Sequence, residues 1–451
     1  MSNVFGLNRF ILLCFMWSTF NWGCTQTESS VSEEFVAWVR EEAISIESFD
    51  APLPTEILQS IHAAIGPATV VGIGESRHDA REQILLKSLL VRSMIEDLGF
   101  RALILEESCP HAESLDHYVT SGKGDLSVIM NNLAGWYLWD TEEMFELILW
   151  IHEFNKDLVE DMKVRIFGMD ITTPALATIG LKKFLDDANI ESGMNEQDFG
   201  LDLQEGDFWP ITRERYAQLS EKESSVLQEN HDKVIKKLIT TKRDLIANSS
   251  LKEYKRALLL AEIGRAGNNF FSSTDLAEAG VIRENGMAST ALWYLDNEIP
   301  GEKAIVWGHN LHVATSPFSM PDLMEGTFRP MGILLREALS EDYIAIGATF
   351  GEGSFPPDLP PGERHFEKPS IDVMDGAFAA VGYNSFLIDI RKVRKDSSEE
   401  KWLNQARAWR AQDAESFLVP ATSFDLVYFV KNISRAQPSP LALERFQSMR
   451  N

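Results

Sequence analysis

The chain has 451 residues, with 42 Lys plus Arg against 68 Asp plus Glu and a formal net charge of −26. At 44% hydrophobic and 24% charged residues it has the composition of a globular protein, which excludes a wholly disordered or collagen-like chain. Its acidity argues for no nucleic acid partner, because phosphates are repelled, and weakens adsorption to anionic lipid; a neutral or cationic small molecule is compatible with it.

Arg9 precedes an apolar run over residues 10–20 (FILLCFMWSTF). The run is shorter than the ~20 residues that cross a bilayer, and a basic residue, a short apolar stretch and then small or polar residues read as a secretory signal peptide. It ends in Asn21-Trp22-Gly23-Cys24, where Gly before Cys resembles a bacterial lipoprotein cleavage box with Asn21 at the place usually held by Leu. The expectation is an exported protein with a leader over 1–24, periplasmic or anchored to the membrane only through a lipid on Cys24. Residues 25–33, rich in Ser, Thr and Glu, read as a short tether opening a 25–49 segment that ends in a helix. Of the three cysteines, Cys14 lies in the leader and Cys24 at its end, which leaves Cys109; no intramolecular disulfide is expected, and stability must come from the core.

Residues 68–75 (ATVVGIGE) form an apolar run ending in glycines and a carboxylate, the pattern of a buried parallel strand. A helical stripe follows over 80–98 with Leu85, Leu89 and Ile95 near one face, and Gly99 stops it. Residues 101–106 (RALILE) are the next strand, completing a βαβ unit, a crossover that is nearly always right-handed. Helices are predicted over 110–121 and 141–154, the second opened by a capping arrangement, Asp140-Thr141-Glu142-Glu143. Further strands are predicted at 164–170, 303–309, 343–350, 385–390 and 426–430. Between 171 and 302 the periodicity gives helices only, over 213–246, 251–271 and 281–295, and the Gly- and Pro-rich residues 351–363 read as a loop. The fold class is therefore α/β: a mostly parallel central sheet flanked by helices, its core in two parts (50–170 and 303–435) separated by a large helical insertion or subdomain (171–302) covering one end of the sheet, with a C-terminal tail over 436–451.

Each early strand ends in an ionisable group: Glu75, then Glu106 and Glu107, then Asp170, then His309. His78 lies three residues past Glu75, and His312 three past His309. Ligands of parallel α/β sheets bind beyond the carboxyl ends of the strands, so these residues converge on the expected site. Gly72-x-Gly74 lacks the third glycine of a dinucleotide fingerprint, since Arg77 stands there. His309-Asn310-Leu311-His312 is compatible with a metal pair, with metal-free catalysis or with a structural role. Cys109 reads as a small buried hydrophobe rather than a nucleophile. Ser76 lies beside Glu75 and His78, but no G-x-S-x-G elbow exists in the chain. Trp136 and Trp139 belong either to the core or to the wall of a cleft.

Taken in order, these segments resemble the erythromycin esterase family. Val71-Gly72-Ile73-Gly74-Glu75-Ser76-Arg77-His78 resembles its G-E-x-x-H signature, and Phe100-Arg101-Ala102-Leu103-Ile104-Leu105-Glu106 its second strand. Trp136-Tyr137-Leu138-Trp139-Asp140-Thr141-Glu142-Glu143 is similar to its W-x-W-x-T-x-E segment, and Gly168-Met169-Asp170 to its G-x-D turn. Arg283-Glu284 with Met287-Ala288 resembles its R-D-x-x-M-A helix, and Trp307-Gly308-His309-Asn310-Leu311-His312 its W-x-H-N-x-H strand end. Residues 345–353 (AIGATFGEG) are similar to its late strand and glycine loop. The resemblance implies a hydrolase of a macrolide lactone or another ester, acting on a small-molecule substrate with no cofactor or metal firmly required and with a histidine base instead of a covalent nucleophile. The positions that match are Glu75, His78, Glu106, His309 and His312. One departs: members that open macrolides carry an arginine nine residues after the signature histidine, where this chain has Lys87, a point charge in place of a planar fork.

The chemistry expected is general-base hydrolysis. His78 takes a proton from water, Glu75 or Glu106 holds its ring, and His309 or His312 donates to the developing oxyanion. Lys87 is expected to pair with a carboxylate next to the substrate, and Trp136, Trp139 and Asp170 to line the cleft. The rivals are a metal-dependent hydrolase using His309, His312, Glu75, His78 and Asp170, and a lipid-anchored binding protein without catalysis.

Overall fold

The computed structural model describes residues 23–49, 53–191, 193–204, 209–323, 325–359 and 362–449. Residues 1–22 of the predicted 1–24 leader lie outside the described residues. A nine-stranded sheet runs through the molecule in the order β1 (Ile44–Ser45), β8 (Ser385–Asp389), β11 (Leu426–Ile433), β6 (Tyr343–Phe355), β2 (Val70–Ile73), β5 (Lys303–Trp307), β3 (Phe100–Ser108), β4 (Arg165–Asp170), with β7 (Arg364–Phe366) paired to the end of β6. From β11 to β4 every neighbouring pair is parallel, whereas β1, β8 and β7 join antiparallel. β9 (Arg407–Ala411) and β10 (Ala414–Leu418) form a separate hairpin.

Both faces of this sheet are covered, which is why the central strands are apolar throughout rather than alternating. The period of two sorts their side chains into two cores. Ala102, Ile104, Ala304, Val306 and Tyr343 face one core, and Leu103, Leu105, Ile305, Trp307 and Ile344 face the other. The first core continues into helices Pro174–Asp187, Leu251–Ser272 and Leu276–Asn297 through Leu181, Leu260 and Ala291. The helical insertion joins this core beside the edge strand β4 and reaches over the carboxyl ends of the strands with Phe270, Leu276 and Arg283, while the rest of that face is covered by Phe35, Leu335 and Phe378. The second face packs on Arg81–Leu98 and Glu142–Asn155 through Leu86, Leu90, Leu147 and Ile151.

Gly99 ends the first of these helices in the left-handed conformation, φ +73°. The predicted helix over 213–246 is three helices, Trp209–Tyr216, Glu221–Thr240 and Lys242–Asn248, the middle one started by a reciprocal Ser220–Glu223 capping box that interrupts the apolar period. Residues 25–33, expected as a tether, lie in a helix, Gly23–Glu42. The expected loop at 351–363 begins as strand: β6 runs on to Phe355 and pairs Gly353 with Phe366. The expected C-terminal tail contains a helix, Pro440–Met449.

Candidate active site

β2, β5, β3 and β4 lie side by side, so their carboxyl ends deliver Glu75, His309, Glu106 and Asp170 to one region. Two close approaches shape it. A Cβ on Gly74 would collide with Oδ1 of Asn310, whose amide group continues the ladder of β6 beyond the end of β2 by accepting from Ala348 N (2.9 Å) and donating to Ala348 O (2.7 Å). A Cβ on Gly168 would lie 2.5 Å from the Glu107 carbonyl, where the register between β3 and β4 shifts and turns the two glutamates over the strand ends.

His78 Nδ1 is 2.6 Å from Glu75 Oε1. The other oxygen of Glu75 accepts from Lys87 Nζ (2.6 Å) and Trp307 Nε1 (3.1 Å). Burial alone would raise the Glu75 pKa, but Lys87 and His78 outweigh it and hold the group below the usual carboxylate range. Burial pushes Lys87 down to about 8 against the pull of Glu75. Glu75 thus fixes the histidine ring as an ionised carboxylate, with Nδ1–H donating and Nε2 left for the cleft.

Glu106 is also ionised. Its burial cost is overcome by His312, His78 and Arg283, so its pKa lies well below normal. It accepts from Arg283 Nη2 (2.8 Å), the main-chain N–H of His309 (2.8 Å) and His312 Nε2 (2.9 Å). His312 Nδ1 donates to Glu284 Oε1 at 2.6 Å, and Glu284 Oε2 accepts from Met331 N. Burial opposes protonation of His312, but Glu106 and Glu284 raise it to about 10, so it is an imidazolium with both N–H groups committed. Arg283 Nη1 lies 3.2 Å from Nε2 of this ring, but two donors cannot bond each other. Arg283 clasps Asp170 through Nε (3.2 Å) and Nη2 (2.7 Å).

His309 lies on the other side of Glu106. Its Nε2 donates to the Ser76 carbonyl (3.0 Å) and its Nδ1 accepts from Leu311 N (3.2 Å). Burial, with His78 and His312 nearby, pushes its pKa well below normal, so the ring is neutral and both nitrogens are used. The rings of His78 and His309 are 5.1 Å apart, and those of His309 and His312 6.4 Å.

A cleft of about 490 Å³ opens over this network. Its polar end holds His78, Glu106, Glu107, Asp170 and Arg283; its apolar wall holds Leu138, Phe270, Leu276 and Phe328. Burial pushes Glu107 up to about 8 against three main-chain donors, Gly135, Ser108 and Ala134.

Several expectations need correction. Neither His309 nor His312 has a free N–H for an oxyanion. Lys87 is fully buried behind Glu75 and cannot touch a substrate. Trp136 packs on Phe446 and under Arg445, and Trp139 on Trp307, both in the core; the intervening Tyr137 and Leu138 line the cleft instead. Asp170 does reach the cleft, paired with Arg283. For the metal-dependent rival, the ring nitrogens of His309 and His312 are already taken, and no group of three or more His, Cys, Asp or Glu side chains among the described residues is disposed to hold a metal ion. Cys109 is buried, with the Tyr294 hydroxyl 3.0 Å from its sulfur. Sequence reasoning gave no role to Arg283 and Glu284, although their place in a helix with Met287 and Ala288 was visible, and it missed Gln412, which also lines the cleft.

The sequence profile of the erythromycin esterase family matches residues 95–434, a span that begins after Glu75 and His78. The chain is 24% identical over 332 residues to an erythromycin esterase type II of Escherichia coli, covering 71% of this chain and 78% of that one. Its fold is similar to a crystal structure of a Bacillus cereus protein (TM-score 0.75, 22% identity, 90% of this chain and 99% of that one). It is also similar to an erythromycin esterase variant in an open conformation (TM-score 0.70, 19% identity, 87% of this chain and 98% of that one). With three quarters of its length matched by that profile, the chain belongs to the erythromycin esterase family of esterase-like hydrolases.

Proposed function

We propose that the protein hydrolyses a carboxylic ester or macrolactone by general-base activation of water. The observation that carries this reading is the Glu75–His78 contact of 2.6 Å in a cleft wall, with Nε2 of the ring free of any partner among the described residues. His78 Nε2 takes the proton of an attacking water, and ionised Glu75 stabilises the imidazolium that forms. Assistance of this kind is worth roughly 10²–10⁴-fold in rate. Lys87 and Trp307 keep the carboxylate in place, while Glu106 holds the backbone of His309, which in turn holds Ser76 beside the base. The Lys for Arg departure acts on Glu75 and not on the substrate. Tyr137, Leu138, Phe270 and Phe328 offer apolar area to a bulky acyl or macrocyclic group.

The same proposal places the protein outside the cytoplasm, on the strength of Arg9, the apolar run 10–20 and Gly23-Cys24. Mass spectrometry of the native N-terminus tests for a lipid on Cys24. Among the described residues no helix is long and apolar enough to cross a membrane. For the chemistry, His78→Asn is expected to abolish turnover of 4-nitrophenyl butyrate and of erythromycin with an unchanged melting curve. Full activity in a normally folded variant would remove His78 from the mechanism.

A further inference from the structure

Ester hydrolysis needs a donor for the oxyanion, and the two histidines expected to supply it are committed elsewhere. Arg283 has Nε and Nη2 on Asp170 and Glu106, and its Nη1 is turned toward the His312 imidazolium, 3.2 Å from Nε2. Besides His78, the cleft wall includes Gln412, whose carboxamide no described residue engages. Gln412 sits at the tip of the β9–β10 hairpin: Ala411 pairs with Ala414, which leaves Gln412-Asp413 as a two-residue turn. Its φ is +55°, at the first position of such a turn, where glycine is the residue without strain.

The turn is fastened to the loop that carries the base. Gln412 N donates to the Ser76 carbonyl at 2.8 Å, the same oxygen that accepts from His309. Asp413 pairs with Arg77 at 2.7 Å, and the buried guanidinium of Arg77 lies against the rings of Phe355 and Phe366, 5.0 and 4.8 Å from their centroids. A glycine at 412 would meet every one of these backbone demands. What it would lack is the side chain in the cleft. A strained non-glycine residue held this firmly beside a base points to a function for that side chain.

We propose that Gln412 is a catalytic residue whose carboxamide N–H donates to the acyl carbonyl oxygen of the substrate. The proposal rests on the ester-hydrolysis reading above. As water attacks, its oxygen bonds to the acyl carbon, its proton passes to His78 Nε2, and the carbonyl π pair moves onto the oxygen that Gln412 holds. On collapse the C=O bond reforms, the bond to the alcohol oxygen breaks, and His78 returns the proton to that oxygen.

The test measures kcat, KM and thermal melting for the wild type, Gln412→Gly, Gln412→Glu and His78→Asn with 4-nitrophenyl butyrate and erythromycin. Gln412→Gly is expected to melt at or above the wild-type temperature and yet lose about 10²–10³-fold in kcat, with KM little changed. Gln412→Glu keeps the shape but only accepts, and is expected to lose as much; it decides the matter if the glycine variant does not fold. A near-normal kcat in Gln412→Gly, or a loss confined to KM, overturns the proposal and leaves the turn as a clamp only. Inactive His78→Asn beside active Gln412→Gly sinks this proposal alone. Active His78→Asn, or a wild type inert to both probes, sinks the reading beneath it.

Discussion

Lys87→Met removes the charge behind the general base while keeping most of the side chain's volume. Lys87 Nζ and Glu75 Oε2 are 2.6 Å apart, and both side chains are sealed from solvent. At that distance and an effective dielectric of about 20, their attraction is about 6 kcal/mol. Taking each ion out of water costs several kcal/mol, so the intact pair is close to break-even. The variant keeps the buried carboxylate without the attraction, and is expected to lose about 3–5 kcal/mol. Part of this reports the contact between Nζ and the Trp307 ring, 4.1 Å from its centroid. A double-mutant cycle isolates the pair: Lys87→Met, Glu75→Gln and the double variant, by urea denaturation at pH 7. The double variant is expected to be more stable than the sum of the singles by about 2–3 kcal/mol. Since Lys87 loses its proton at about 8, the coupling should fade above that pH. The lowered lysine pKa also means that the unfolded chain holds an extra proton between pH 8 and its free value of ~10.4, so this group makes the wild type more stable as pH rises through that window. Additive singles, agreeing within ~0.5 kcal/mol, would refute the account of Glu75 as a carboxylate held by Lys87.

His312 titrates with the opposite sign. Its folded pKa, about 10, lies above the unfolded value near ~6.5, so its stabilisation is complete below the latter and is lost as pH climbs to the former. The stability gap between wild type and His312→Gln, from urea denaturation at pH 6, 8 and 10, should narrow as pH rises; a constant gap would mean the ring is not an imidazolium. The correction at the aromatic segment is equally open to measurement. Trp136→Ala is expected to lower stability by about 3–5 kcal/mol with little change in kcat/KM, whereas Tyr137→Ala should lower kcat/KM for bulky esters and leave the denaturation midpoint nearly unchanged. The reverse pattern would return the tryptophan to the cleft.

The strands that build the site were legible because both faces of a parallel sheet are buried: 68–75, 101–106 and 303–309 could be nothing but short apolar runs, and their terminal ionisable residues stood out against them. The Arg81–Leu98 helix was marked by Gly99 for a similar local reason. The β9–β10 hairpin was missed because its residues, RAWRAQDAESFL, alternate weakly and carry charges that are satisfied by distant groups: Asp413 by Arg77, Arg410 by main-chain carbonyls at Gly351 and Glu367. Local patterns also could not tell which neighbour in Trp136-Tyr137-Leu138-Trp139 faces inward, since the helix Pro440–Met449 that buries Trp136 through Phe446 is three hundred residues away in sequence. The same limit applies to the histidines. Their convergence follows from strand order, but whether a ring nitrogen is free depends on the single carbonyl or carboxylate it meets.

The position of β5 between β2 and β3 has a consequence for how the chain reaches this state. Val70 is hydrogen-bonded into register opposite Ala304 on one side and Tyr343 on the other. Until synthesis has passed those residues, the ribosome-borne half of the protein carries β2 and β3 with unsatisfied ladder groups and an apolar surface on each side. Pairings so remote in sequence make for slow, aggregation-prone assembly, so this protein should depend on chaperone holding during its biogenesis far more than its finished stability suggests.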